Sequence, residues 1–176
     1  MSFLSVIPEA EAGPELRQIY QELKGPWGFV PNYFLASGKR PELIRLQAAL
    51  YEAIYAKGVL PQKLKEQIGV VVAGINASSY CVAYHMEVLR RMGIEKALSR
   101  KLATNYESAP VELSAMALFR FAAKLTKAPC DIVKGDIELL KAEGWSEDAI
   151  YETVMAVAMM SLFNRVSLGL GLLADF

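Results

Sequence analysis

At 176 residues the chain can enclose one substantial core, and its 19 basic and 19 acidic side chains cancel, so no net field draws it to nucleic acid or an anionic membrane. Hydrophobic residues make up 53% of it, high for a soluble monomer, and part of that apolar surface is expected to be buried between copies of the chain. The two cysteines, Cys81 and Cys130, exclude a disulfide scaffold and suit a reducing, cytoplasmic setting.

Segment 1–8 lacks the positive start and long apolar stretch of a signal peptide, and the apolar runs at 70–75 and 154–160 are far too short to span a membrane. Proline and glycine then punctuate a series of helices. Leu16, Ile19, Tyr20 and Leu23 give 15–24 one apolar face, and Gly25-Pro26-Trp27-Gly28 breaks the chain. Residues 31–38 form a loop with one turn of helix. Pro41 suits the first position of a helix over 41–57 that Gly58 closes, with Leu43, Leu46, Leu50 and Ile54 as its apolar stripe. Pro61 opens the next helix, 61–75. Its Val70-Val71-Val72 run suits a strand equally well, but no second strand candidate exists elsewhere. It therefore reads as a helix apolar on every side and buried, with Gly69 and Gly74 admitting close backbone approach.

The helix 79–92 ends at Gly93, a short one spans 95–104, and 106–110 is a loop. Leu113, Met116, Ala117, Phe119, Phe121 and Leu125 supply the contacts of a helix over 111–126, which Pro129-Cys130-Asp131 interrupts. A helix over 133–142 ends at Gly144. Ser146 with Glu147 and Asp148 marks a helix start, and 147–173 is helical with a break near Asn164. No composition shift divides the chain, so one all-α domain over 1–176 is expected. Leu64-x-Glu66-x-Ile68 is echoed by Ile150-x-Glu152-x-Val154, a short match of the kind that amphipathic helices also produce by chance.

The chemistry concentrates at Cys81 and His85, the only histidine. Four residues apart on a helix, they share one face, where a thiol and an imidazole can share a proton directly or through one water. Ser78 or Ser79 would cap that helix, leaving Cys81 in the first turn, where unpaired N–H groups favour a thiolate. Singly, Cys81 reads as a small buried hydrophobe, His85 as a structural histidine, Glu66 as a surface carboxylate and Cys130 as an incidental thiol. Jointly, Cys81 and His85 point to a nucleophile with an adjacent base. One histidine and one nearby cysteine cannot fill a tetrahedral metal shell, and no phosphate loop, dinucleotide fingerprint or Gly-x-Ser-x-Gly elbow is present. Neither a metal nor a cofactor is expected.

The stretch Glu66-x11-Ser78-Ser79-Tyr80-Cys81-x3-His85 resembles the signature of the AhpD-like proteins, the alkyl hydroperoxidase D and carboxymuconolactone decarboxylase superfamily. The usual form there is Glu, eleven residues, Cys-x-x-Cys, three residues, His. Val30-Pro31-Asn32, Pro41-Glu42-Leu43, Leu60-Pro61 with Lys65-Glu66, Ala123-Lys124-Leu125-Thr126, Asp136-Ile137-x-x-Leu140, Gly144 and Phe163-Asn164-Arg165 extend the likeness to its peroxidase-related branch.

The resemblance implies an AhpD-like helical bundle that builds compact homo-oligomers (dimer, trimer or hexamer), with a helical pocket near subunit contacts. It implies a thiol peroxidase in which Cys81 attacks a hydroperoxide, His85 accepts the proton and Glu66 relays it. The reductant would be an external thiol, or a lipoylated or thioredoxin-like partner. Ser78 is the departure, standing where the family has its first cysteine, so the Cys-x-x-Cys disulfide cannot form. Either an external thiol or Cys130 must then resolve a Cys81 sulfenic acid. Two other readings stay open: a decarboxylase-like enzyme acting on a small organic acid by acid–base chemistry, and a catalytically vestigial binding protein.

Overall fold

The computed structural model describes residues 2–176, apart from the side chain at position 26; Met1, the first residue of the N-terminal segment, lies outside the described residues. Among these the chain is helical without strands: α1 (Pro14–Lys24), α2 (Asn32–Ala36), α3 (Pro41–Tyr51), α4 (Gln62–Ile75), α5 (Ser79–Arg91), α6 (Lys96–Asn105), α7 (Leu113–Lys127), α8 (Lys134–Ala142) and α9 (Glu147–Gly169). The ambiguous 61–75 segment is α4, the central element, packed against α5, α6, α7 and α9. Ten consecutive residues from Leu64 to Ala73 are buried, which is what a helix apolar on every side requires of its neighbours. A smaller cluster of Ala12, Leu16, Ile19, Tyr20, Val30 and Ile44 joins α1 to α3, and Phe34 packs on both it and the main core.

Three expectations are corrected. The stripe Leu43, Leu46 and Leu50 faces outward, Leu46 being 65% exposed, while Ile44 takes the buried side of α3. Helical spacing identifies a common face but not what covers it. Leu113, expected to supply core contacts, is 79% exposed at the first position of α7. No break occurs near Asn164, and α9 runs on to Gly169. The buried Asn164 side chain accepts from Asn76 Nδ2 at 2.8 Å and donates to Met160 Sδ at 3.3 Å. So engaged, it does not compete for the helix backbone.

α4 and α5 are joined by a tight turn in which Ala77 adopts φ +55°. Ser78 N–H closes the turn on Ala73 O at 2.9 Å. The hairpin lays the start of α5 against α4 and brings Glu66 towards His85 within one chain. α3 ends in a single π turn over Glu52–Ala56, and Tyr51 and Tyr55 stack across it, their centroids 4.8 Å apart and planes within 3°.

The echoed carboxylate Glu152 has a different task from Glu66. It pairs with the buried Lys65 ammonium at 2.7 Å and accepts Val59 N–H at 2.7 Å and Leu60 N–H at 2.9 Å. Lys65 also donates to Ile54 O and Lys57 O, pinning the π turn and the loop after it. Gly58, at φ +109°, leaves room for the Glu152 carboxylate, into which any Cβ would run. Burial raises the Glu152 carboxyl, but the Lys65 ammonium and the two N–H donors together outweigh it, and the net displacement is downward from 4.5. A carboxyl depressed on folding stabilises fully above its unfolded value and loses that contribution as pH falls through the folded one. Glu152→Gln should therefore cost about 3 kcal/mol at neutral pH by urea denaturation, the low end for breaking a buried pair because the carboxylate is 20% exposed. The gap to wild type should narrow below pH 4.5.

Candidate active site

Cys81 and His85 lie one turn apart on α5, both buried at 4% and 2% exposure, and both line one cavity of about 350 Å³. Around them stand Trp27, Tyr33, Phe34, Tyr51, Tyr80, Tyr84 and Phe163, with the exposed carboxylates of Glu22 and Glu52 also on the lining. The imidazole points into the protein rather than to bulk solvent. Glu66, which read alone as a surface residue, is fully buried, and its Oε2 lies 2.5 Å from His85 Nδ1. Its other oxygen accepts Tyr51 O–H at 2.9 Å. A carboxylate so held fixes the imidazole with Nδ1 as donor, leaving Nε2 as the basic nitrogen.

Gly69 makes this possible. A Cβ there would come within 3.1 Å of His85 Nδ1 and 3.2 Å of Tyr55 Oη. The glycine thus admits two side chains against α4, not the second backbone expected. Gly74 does meet backbone, the carbonyl of Ala103 on α6.

The thiol also meets a residue of α9. Among the described residues, the hydrogen bond of Cys81 Sγ goes to Ser167 Oγ, at 3.5 Å. Ser78 stands at the N-cap position but makes no side-chain cap; its hydroxyl lies 2.9 Å from the same Ser167 Oγ. Ser167 in turn donates to Asn164 O at 3.0 Å. Ser78, at the N-cap of α5, and Cys81, three residues on, therefore converge on one hydroxyl of α9. Cys130 is exposed in the turn between α7 and α8 and does not line the cavity.

Burial, with the Glu66 charge second, raises the Tyr51 and Tyr55 phenols well above their ordinary value, and the same two causes push Tyr84 up to about 12. These phenols stay protonated and act as donors. Among the described residues no group of three or more His, Cys, Asp or Glu side chains is placed to hold a metal ion. Ser167 and Tyr51 escaped the sequence reading. The signals were present, since Ser167 follows Asn164 by one helical turn and Tyr51 precedes Tyr55 by four residues, but neither spacing names a partner.

The carboxymuconolactone decarboxylase family matches residues 41–124, a span from α3 to near the end of α7 that holds Glu66, Ser78, Cys81 and His85. A peroxidase-related protein from Ralstonia eutropha, described as an alkylhydroperoxidase AhpD core, superposes with a TM-score of 0.92 at 28% identity, over 99% of this chain and 92% of that one. The chain has the AhpD-like fold, and residues 41–124 carry the carboxymuconolactone decarboxylase pattern. A second peroxidase-related member, from Silicibacter sp., superposes with a TM-score of 0.90 at 26% identity, over 99% and 92% of the two chains. The debrominase Bmp8 in complex with 2,3,4-tribromopyrrole shares the fold, with a TM-score of 0.82 at 20% identity over 99% and 94%. No curated protein matches the chain. Within this AhpD-like frame no helix of the described residues is long and apolar enough to cross a membrane.

Proposed function

We propose that this protein is a one-cysteine thiol peroxidase that reduces organic hydroperoxides at the expense of an external thiol. The observation that carries the reading is the convergence of Cys81 and a Glu66-anchored His85 on one largely apolar cavity. His85 Nε2 takes the thiol proton, and the Cys81 sulfur attacks the terminal peroxide oxygen. The O–O bond breaks, an S–O bond forms, and the departing alkoxide takes the proton from His85. One alcohol and one Cys81 sulfenic acid result, the sulfur having lost the two electrons the peroxide gained. A first reductant thiol displaces water from the sulfenic acid, forming a mixed disulfide. A second thiol, on the same lipoyl-like or thioredoxin-like dithiol, releases Cys81.

The exposed position of Cys130, off the cavity lining, favours an external thiol as the resolving group. The organic-acid reading is disfavoured by the lining, which has two carboxylates and no lysine or arginine to pair with an anion. The test is consumption of an alkyl hydroperoxide by the wild-type chain with dithiothreitol, one disulfide being formed per peroxide lost. No consumption above the uncatalysed rate overturns the proposal.

Ser78→Cys should raise turnover with dithiols several-fold, because Ser78 and Cys81 already meet the same Ser167 hydroxyl. After one equivalent of peroxide, mass spectrometry should show that variant two hydrogens lighter. We also assign the outward stripe Leu43, Leu46 and Leu50 to a contact between copies of the chain, as its exposed apolar area supports. Leu46→Glu should reduce the mass measured by light scattering to that of the monomer.

A further inference from the structure

The cavity is much larger than a peroxide group needs, and its walls are aromatic. Trp27, Tyr33, Phe34, Tyr51, Tyr84 and Phe163 line it together with Cys81 and His85. An apolar cavity of about 150 Å³ is enough to hold benzene. The roughly 350 Å³ here therefore has room for a ring and a branched side chain.

Within this wall one polar atom is unaccounted for. Tyr33 is 5% exposed, and its hydroxyl has no hydrogen-bond partner among the described residues. Gln47 is the side chain near enough to act on it as a hydrogen-bonding neighbour, but the contact falls short of hydrogen-bond geometry and leaves the Gln47 Oε1 without a partner as well. Three neighbouring tyrosines are served: Tyr51 donates to Glu66, Tyr55 to Ala156 O, and Tyr80 to Asp175. Tyr33 is held rigidly, its N–H donating to Tyr80 Oη at 3.2 Å and its ring packed edge-on against Phe163 with centroids 5.0 Å apart. Burial raises its phenol strongly, so the group remains a donor. A buried donor with no protein partner is costly unless a bound molecule supplies the acceptor.

We infer that the cavity selects a ring-bearing organic substrate with a single polar head, the ring lying among the aromatic walls and the head accepting a hydrogen bond from Tyr33 Oη beside Cys81. This rests on the peroxidase reading for the identity of that head, a hydroperoxide entering and an alcohol leaving. The recognition itself needs no chemistry and is measurable with the unreactive alcohol.

Cumyl alcohol, tert-butanol and cumene are titrated into the wild-type protein and into Tyr33→Phe, followed by calorimetry and by tryptophan fluorescence, to which Trp27 on the cavity wall contributes. Wild type should bind cumyl alcohol saturably and at least about tenfold more tightly than tert-butanol, because the phenyl group adds apolar area to be buried. Tyr33→Phe should weaken cumyl alcohol binding by roughly three- to tenfold, the effect of one hydrogen bond. The same variant should bind cumene, which has no hydroxyl, as wild type does, showing that the cavity is intact. Equal binding of cumyl alcohol and tert-butanol, or no saturable binding of either, overturns the inference, as does unchanged cumyl alcohol binding in Tyr33→Phe. Selective alcohol binding without consumption of cumene hydroperoxide would overturn the peroxidase proposal and leave this recognition standing.

Discussion

Cys81→Ser is expected to bring peroxide consumption down to the uncatalysed rate, with the fold and thermal stability nearly unchanged. Serine is close to cysteine in size, and the new hydroxyl retains Ser167 Oγ as a partner at the place where the sulfur now lies 3.5 Å away. What is lost is the nucleophile, since a hydroxyl cannot take up peroxide oxygen as sulfur does. His85→Ala should leave a slow reaction, reduced about 10²- to 10⁴-fold, the usual share of a positioned proton acceptor. Glu66→Gln keeps the shape of the side chain and removes the carboxylate that holds His85 Nδ1 at 2.5 Å. As a positioning change it should lower the rate less than His85→Ala and shift its pH profile, which a purely structural role would not do. Iodoacetamide alkylation of Cys81 against pH provides the same comparison without peroxide. Equal peroxide turnover by wild type and Cys81→Ser would remove the thiol from the mechanism.

Gly74→Ala is expected to be the most damaging single methyl group in the molecule. Its Cβ would overlap the Ala103 carbonyl on α6, and the obstacle is backbone on both sides. Side chains cannot rotate out of the way, so α4 and α6 must separate, and α4 is the helix on which α5, α7 and α9 also pack. A loss of at least about 3 kcal/mol, the top of the usual range for overpacking, corresponds to roughly 6–12 °C in the melting temperature of a chain this size. Gly93→Ala is a useful contrast, because its φ of +81° makes it strained yet nothing lies near its Cβ. It should cost only about 1–2 kcal/mol. Calorimetry on both variants separates steric collision from backbone conformation.

Much of this molecule is legible in its sequence. Pro41, Pro61, Gly58, Gly93 and Gly144 punctuate the helices where expected, because their backbone limits act locally. The valine run in α4 was legible only by elimination, since a buried helix and a buried strand bury the same side chains. The apolar stripe of α3 was visible but not its direction, since periodicity says nothing about which face the rest of the protein covers. Asn164 illustrates a polar residue that breaks helices in isolation and is absorbed by one when its side chain finds Asn76 and Met160.

The sequence by itself determined that the chain is all-helical and where proline and glycine open or close several of its helices. It also determined that Cys81 and His85 share a helical face and that no second cysteine stands at Ser78. These are local properties, carried by backbone preference and spacing within a single element. Only the tertiary structure decided that Glu66 is buried against His85, that Ser167 of α9 receives both Ser78 and Cys81, and that the Tyr33 hydroxyl is left unpartnered in an aromatic cavity. Each of these joins residues from different helices. Their meeting depends on how α4, α5 and α9 pack, which no spacing within one helix encodes.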